Sequence, residues 1–160
     1  MKILSGGQTG VDRAALDVAV AQGIDYGGWC PQGGWAEDFP DPPGLLDKYP
    51  RLKQTPLADP AQRTEWNVRD AQACLVLLDG GGLAASAGTT LARDLAHRDR
   101  KPLLLADLGD SGSLKHTALW LRVQQARHGK HLQLAVGGPR ESESPGIYER
   151  ARAYLTALFD

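Results

Sequence analysis

The residues best able to do chemistry in this sequence sit in glycine-rich segments. Ser5-Gly6-Gly7-Gln8-Thr9-Gly10-Val11-Asp12-Arg13 leaves a short apolar run and enters a helical pattern. Glycines there let the backbone approach a ligand, and the unbonded N–H groups of a helix start favour an anion. Thr9 and Asp12 have capping-box spacing, with Asp in place of Glu or Gln, and Arg13 offers a charge to a phosphate. The plainer reading is a tight, capped turn, although Gly6, Gly7 and Gly10 together exceed what a turn requires. A second segment, Gly80 to Thr90, repeats the logic. Ser86 is placed to cap the next helix, and Gly88, Thr89 and Thr90 put bare backbone and two hydroxyls in its first turn, where helices disfavour both residue types. A flexible turn before a capped helix is the alternative. Neither segment contains GxGxxG or Gly-Lys-Ser/Thr, which excludes a P-loop ATPase.

A third segment, Gly27 to Asp38, mixes Trp29, Cys30 and Trp35 with four glycines, where loops are ordinarily polar. An aromatic ring here is suited to stack on a pterin or purine. Cys30 is either a reactive thiol or a buried inert one, and no neighbouring cation is evident. Glu37 and Asp38 are candidates to orient a ligand or meet a cation through oxygen, or are simply solvated. Further along, Arg63, Asn67 and Asp70 share one helix face at i, i+4, i+7, facing a cleft or solvent. Glu65 and Arg69 have the spacing of a helical ion pair. The histidines show no metal-ligand spacing with carboxylates or cysteines, so no zinc site and no other metal centre is expected.

The elements that position these residues alternate. Strands are expected at 2–5, 24–29 (weak), 74–78, 102–106 and 132–136. Helices are expected from Val11, at 59–71, 87–98, near 114–128 and over 145–158. Asp59-Pro60-Ala61-Gln62 supplies an N-cap, a first-turn proline and a glutamine three residues on. The proline-rich stretch 30–58 has no period and reads as a long irregular loop. Apolar strands separated by helices indicate an α/β fold, a mostly parallel sheet with helices on both faces. Ligands of such sheets bind beyond the C-terminal strand ends, which directs attention to the loops after 2–5, 74–78 and 132–136.

At 160 residues the chain fits a single domain with a substantial core, spanning 1–160. A net charge of −1, with 23% charged residues mixed along the chain, argues against a nucleic-acid surface but not against a small anion. No signal peptide or membrane-length apolar run is visible, and Cys30 and Cys74 form no disulfide framework, so a cytoplasmic protein is expected.

Five segments taken in order carry a family resemblance: Ser-Gly-Gly-Gln-Thr-Gly-Val-Asp-Arg at 5–13, Gly-Gly-Trp-Cys-Pro at 27–31, Ala-Glu-Asp at 36–38, Arg-Thr-Glu-Trp-Asn-Val-Arg-Asp at 63–70 and Gly-Thr-Thr-Leu at 88–91. The chain resembles the molybdenum-cofactor carriers, a circularly permuted branch of the SLOG superfamily of Lonely Guy-like Rossmannoid proteins. The match spans roughly residues 2–107. The resemblance implies a Rossmann-like fold, a homo-oligomer, and binding of molybdenum cofactor (molybdopterin) or a related nucleotide-like ligand. Its partners would be molybdoenzymes or cofactor-synthesis proteins. It directs the site to Gly6, Gly7, Gln8, Thr9, Gly10, Arg13, Trp29, Cys30, Glu37, Asp38, Arg63, Asn67, Gly88, Thr89 and Thr90. This chain departs from the pattern with Gly34 where a basic residue is expected, Pro60 where an aromatic is expected, and a longer 39–54 segment. A nucleotide-processing hydrolase of the phosphoribohydrolase type is the main alternative. Aligning on Gly88-Thr89 puts Ala92 at the place of its glutamate, unless Glu37, Asp38 or Glu65 replaces it. A sensor that binds a nucleotide and acts through partners is the third reading.

Overall fold

A computed structural model describes residues 1–82 and 86–160. Seven strands and six helices follow in the order β1 (Lys2–Leu4), α1 (Val11–Ala21), β2 (Asp25–Gly27), β3 (Trp29–Cys30), α2 (Leu45–Lys48), β4 (Lys53–Gln54), α3 (Pro60–Asp70), β5 (Ala73–Leu78), α4 (Ala87–Arg98), β6 (Leu103–Asp107), α5 (Ser113–His128), β7 (Gln133–Gly137) and α6 (Ile147–Phe159). Five of the strands form one wholly parallel sheet in the order β2-β1-β7-β5-β6. Counted cyclically from β7, this is the 3-2-1-4-5 order of a doubly wound nucleotide-binding sheet. The last strand of the chain therefore takes the central first place. The fold is α/β and Rossmann-like, as expected.

Side chains alternate between the two faces of the sheet. Ile3, Leu75, Leu77, Leu134 and Val136 pack against α1, α5 and α6, while Leu4, Cys74 and Ala135 pack against α3 and α4. Helices thus cover both faces, which is why β5 reads as an unbroken apolar run. The chain changes faces between β7, followed by α6, and β5, followed by α4. A crevice opens at that change beyond the C-terminal strand ends.

Two expectations need correction. The weak strand over 24–29 is two strands: Gly28, at φ 119°, turns the chain out of the main sheet, and β3 pairs instead with β4. A Cβ at Gly28 would press on Ser5 O and Asn67 Oδ1, so glycine is required there. The stretch 30–58 is likewise no irregular loop. It contains β3, a 3-10 turn at Gln32–Gly34, α2 and β4, and it buries Leu45, Tyr49 and Leu52 in the main core. Its period is invisible because β3 and β4 span two residues each and α2 spans four, too few to repeat a pattern. Gly34 has φ 69°, and a Cβ there would overlap Pro43 O, which accounts for glycine where a basic residue was expected.

Candidate functional site

The crevice is a cleft of about 340 Å³. Four segments build its walls: Gln8 and Asp12 after β1, Asp59–Thr64 at the start of α3, Ser86–Ala92 at the start of α4, and Gly137–Glu143 after β7. Each begins or precedes a helix, so several helix N-termini approach the same space. The start of α3 is capped by Asp59, whose side chain accepts from Ala61 N at 2.9 Å, with Pro60 in the first turn as expected. Ser86 caps α4, accepting from Thr89 N at 3.3 Å and from Thr89 Oγ1 at 2.7 Å. Leu83, Ala84 and Ala85 of the second glycine-rich segment lie outside the described residues.

Arg63 is the central cation. Its Nη1 donates to Asp12 Oδ2 at 2.9 Å, and among the described residues Nε and Nη2 have no protein partner. Burial raises the pKa of Asp12; the charge of Arg63 and the Gln8 backbone amide oppose that rise. Arg140 also lines the cleft, with its Nε 3.3 Å from Glu143 Oε1. Below the cleft, a smaller recess of about 40 Å³ runs between Val68, Val76 and Ala135, and Ala92 borders both spaces.

Of the residues expected at the site, Gln8, Arg63, Gly88 and Thr89 line the cleft, and Gly6 and Asn67 border only the inner recess. The two glycine-rich loops do meet. Much of what they contain, however, is turned inward. A Cβ at Gly6 would overlap the Arg63 guanidinium, one at Gly7 would crowd Leu45, and one at Gly10 would overlap Pro139 O. These glycines make room for protein atoms.

Arg13 lies outside the cleft. Its guanidinium grips Asp38 in a bidentate pair, both contacts 2.8 Å, and also donates to Gly7 O from Nε and Nη2 at 3.1 Å. Four of its five N–H donors are taken by protein and its side chain is 8% exposed, so it is held away from the cleft. Thr9 makes no capping box, because Gly10 precedes α1 without a side-chain cap. Its hydroxyl donates to Glu37 and accepts from Glu141 N at 3.1 Å. Glu37 also accepts from Ser142 N and Oγ, so Glu37 and Asp38 fasten loops together outside the cleft. Thr90 follows in α4 and is not among the lining residues.

Trp29 does not face the cleft either. Its ring packs edge-on against Trp66 with centroids 4.6 Å apart, and its indole N–H donates to Asp70 at 2.7 Å. Asn67 clasps the Trp29 backbone, accepting from its N and donating to its O, both at 2.9 Å. The polar stripe on α3 therefore divides: Arg63 faces the cleft while Asn67 and Asp70 hold β3. Glu65 pairs with Arg98 at 3.2 Å and Arg69 with Asp70 at 2.7 Å, in place of the expected pair with each other. Cys30 is fully buried, its Sγ 3.5 Å from Lys53 O, and burial pushes its thiol up to about 11, which makes it a poor nucleophile. Among the described residues no cluster of three or more His, Cys, Asp or Glu is arranged to hold a metal.

Gly138, Arg140 and Glu143 were not singled out from sequence, and Asp12 and Ser86 were read there only as helix caps. The available signal was Gly137-Gly138-Pro139-Arg140 directly after an apolar strand, the same strand-to-glycine pattern as in the first two loops.

A cyclically shifted 3-2-1-4-5 sheet, with a cleft at its face change, defines a circularly permuted Rossmann-like protein. The chain belongs to the circularly permutated YpsA SLOG family, whose model matches residues 3–159. It is similar to the crystal structure of a "putative molybdenum carrier protein" from Syntrophus aciditrophicus, with 36% identity and a TM-score of 0.83 over 99% of this chain and 94% of that one. No curated protein matches it. Among the described residues no helix is long and apolar enough to cross a membrane.

Proposed function

We propose that this chain is a single-domain carrier that binds an anionic, nucleotide-like ligand in the cleft at the face change of its sheet. Molybdenum cofactor or a close relative is the cargo, and the name borne by the Syntrophus protein supports that choice. The observation that carries the reading is Arg63. It is a largely buried guanidinium whose Nε and Nη2 have no partner among the described residues, and it lines the cleft together with Gly88, Thr89 and Arg140. Such a fork is suited to a phosphate oxygen. The volume lies within the range of small-ligand sites. Pro60, Leu91 and Ala92 supply an apolar wall for a flat heterocycle, in place of the tryptophan stack expected from sequence.

Binding is favoured over hydrolysis. Ala92 lines the cleft where the hydrolase alignment requires a glutamate, and Glu37, Asp38 and Glu65 are engaged elsewhere. A homo-oligomeric assembly, a cytoplasmic location and delivery of the ligand to molybdoenzymes or cofactor-synthesis proteins complete the proposal.

Native mass spectrometry of gently purified protein, titrated with molybdenum cofactor and with nucleoside monophosphates, tests it. Retention of the pterin cofactor unchanged and in preference to nucleotides is the expected result. Release of free base from a bound nucleotide would replace the carrier with a hydrolase, and a nucleotide-dependent change in oligomeric mass would favour a sensor.

A further inference from the structure

The charges lining the cleft do not sum in favour of an anion. Three carboxylates, Asp12, Asp59 and Glu143, face two guanidinium groups, Arg63 and Arg140. Asp12 is neutralised by Arg63, and Asp59 is bonded to the start of its own helix. Glu143 differs from both. Its Oε1 accepts from Ser86 Oγ at 3.1 Å and from Arg140 N at 3.1 Å, and lies 3.3 Å from Arg140 Nε. One carboxylate oxygen thus collects a hydroxyl, a backbone amide and a guanidinium. That is the donor set that would hold a phosphate oxygen.

We propose that Glu143 is an internal competitor for the anion seat of this cleft and sets which ligands can enter it. The inference rests on the binding reading above. A ligand that takes over the contacts from Ser86 Oγ, the Arg140 amide and Arg140 Nε must displace Glu143, whose carboxylate then turns to water. A ligand carboxylate gains nothing in that exchange, since it brings the same charge and the same pair of oxygens. A phosphate monoester brings three terminal oxygens and close to two charges, so it gains. Glu143 therefore selects phosphate-bearing ligands over carboxylates and over neutral nucleosides. Displacement need not free the whole segment after β7, because Ser142 is tied to Glu37 and Ser144 to Asp79.

Calorimetric titration of inorganic phosphate, AMP and acetate into wild type, Glu143→Gln and Glu143→Gln/Arg140→Gln tests the proposal. Glu143→Gln should bind phosphate and AMP about tenfold more tightly, the gain expected when a charged hydrogen-bond competitor is removed, and adding Arg140→Gln should abolish the gain. Acetate should bind wild type more weakly than phosphate by at least as much. Wild type that binds phosphate no less tightly than Glu143→Gln would overturn the inference and leave the binding reading standing. Failure of phosphate and AMP to bind either protein would remove both. If Glu143→Gln does not fold, the Arg140 amide in wild type decides. Its hydrogen exchange should quicken or its NMR shift move at saturating phosphate, and an unchanged amide would refute displacement.

Discussion

Arg63 reaches from the first turn of α3 to Asp12 in the first turn of α1, Nη1 to Oδ2 at 2.9 Å, and lies against Gly6 on the way. The two side chains are 16% and 5% exposed, so the pair bridges two helices at the floor of the cleft with little help from water.

Breaking this pair from one side leaves a buried carboxylate uncompensated, which costs about 3–5 kcal/mol. Arg63→Ala should lower the free energy of urea unfolding by an amount in that range. Arg63→Ala/Asp12→Ala should recover part of the loss, because no orphan charge remains. Gly6→Ala should resemble Arg63→Ala, since its methyl group takes the space of the guanidinium. A loss below about 1 kcal/mol for Arg63→Ala, the value of an exposed pair, would mean that Asp12 is solvated.

Arg13 should behave in the opposite way with respect to ligand. Its contacts are Asp38 and Gly7 O, so Arg13→Ala is a stability mutation, costing about 1–3 kcal/mol for the buried carbonyl left unbonded. Affinity for phosphate or AMP should be unchanged in the fraction that folds. Isothermal titration alongside chemical denaturation separates the two effects. A tenfold loss of affinity with unaltered stability would return Arg13 to the site.

The contrast between these arginines shows what the sequence makes legible. Local signals are readable: the cap at Asp59, the cap at Ser86 and the apolar run of β5 each depend on residues a few positions apart. The approach of the Gly6 and Gly88 loops was also readable, through the rule for parallel sheets. A glycine reports that its Cβ has no room, but not which atom fills the space. At Gly6 that atom belongs to Arg63 and at Gly10 to Pro139. Arg13 finds Asp38 at a separation of 25 residues, and Ser86 finds Glu143 at 57, and no periodicity encodes either. The segment after β7 reaches the site only because the permuted chain returns its last strand to the centre of the sheet.

Acid should weaken the fold through the carboxylates that fasten its loops. In Glu37 burial works against ionisation, but hydrogen bonds from Ser142 and Thr9 and the charge of Arg140 outweigh it and hold its pKa below the ordinary 4.5. The bidentate bond from Arg13 holds Asp38 below 3.8. A carboxylate with a lower pKa in the folded chain contributes fully above its unfolded value, and that contribution is lost as pH falls through the folded one. Asp12, with its pKa raised, acts in the opposite sense and recovers some stability on protonation. The urea midpoint should hold near neutrality and decline once pH drops below about 4.5, the unfolded value for Glu37. Glu37→Gln should make the decline shallower. An identical pH profile in that variant would show that Glu37 does not fasten the loop after β7.

Gly10 tests whether the first glycine-rich loop is built for protein contacts. Its φ is 77°, and a Cβ there would overlap Pro139 O, the acceptor of the Val11 amide at 3.2 Å. Gly10→Ala should therefore cost about 1–3 kcal/mol from backbone strain, with the collision added to it. Thermal unfolding should show the loss. Near-wild-type stability would mean that the loop can move away from the segment after β7.

Ala92 borders both the cleft and the recess, with Leu91 and Pro60 also lining the cleft, whereas Ser86 and Arg140 meet at Glu143. A larger side chain at 92 should therefore crowd a heterocycle without touching the seat for a phosphate group. Ala92→Leu should bind AMP about tenfold more weakly than wild type, the equivalent of about 1.4 kcal/mol, while its affinity for inorganic phosphate stays the same. The ratio of the two affinities is the informative quantity, because a general loss of structure would lower both. Equal loss for AMP and phosphate would place the anion beside Ala92, and no loss for either would move the heterocycle off the apolar wall.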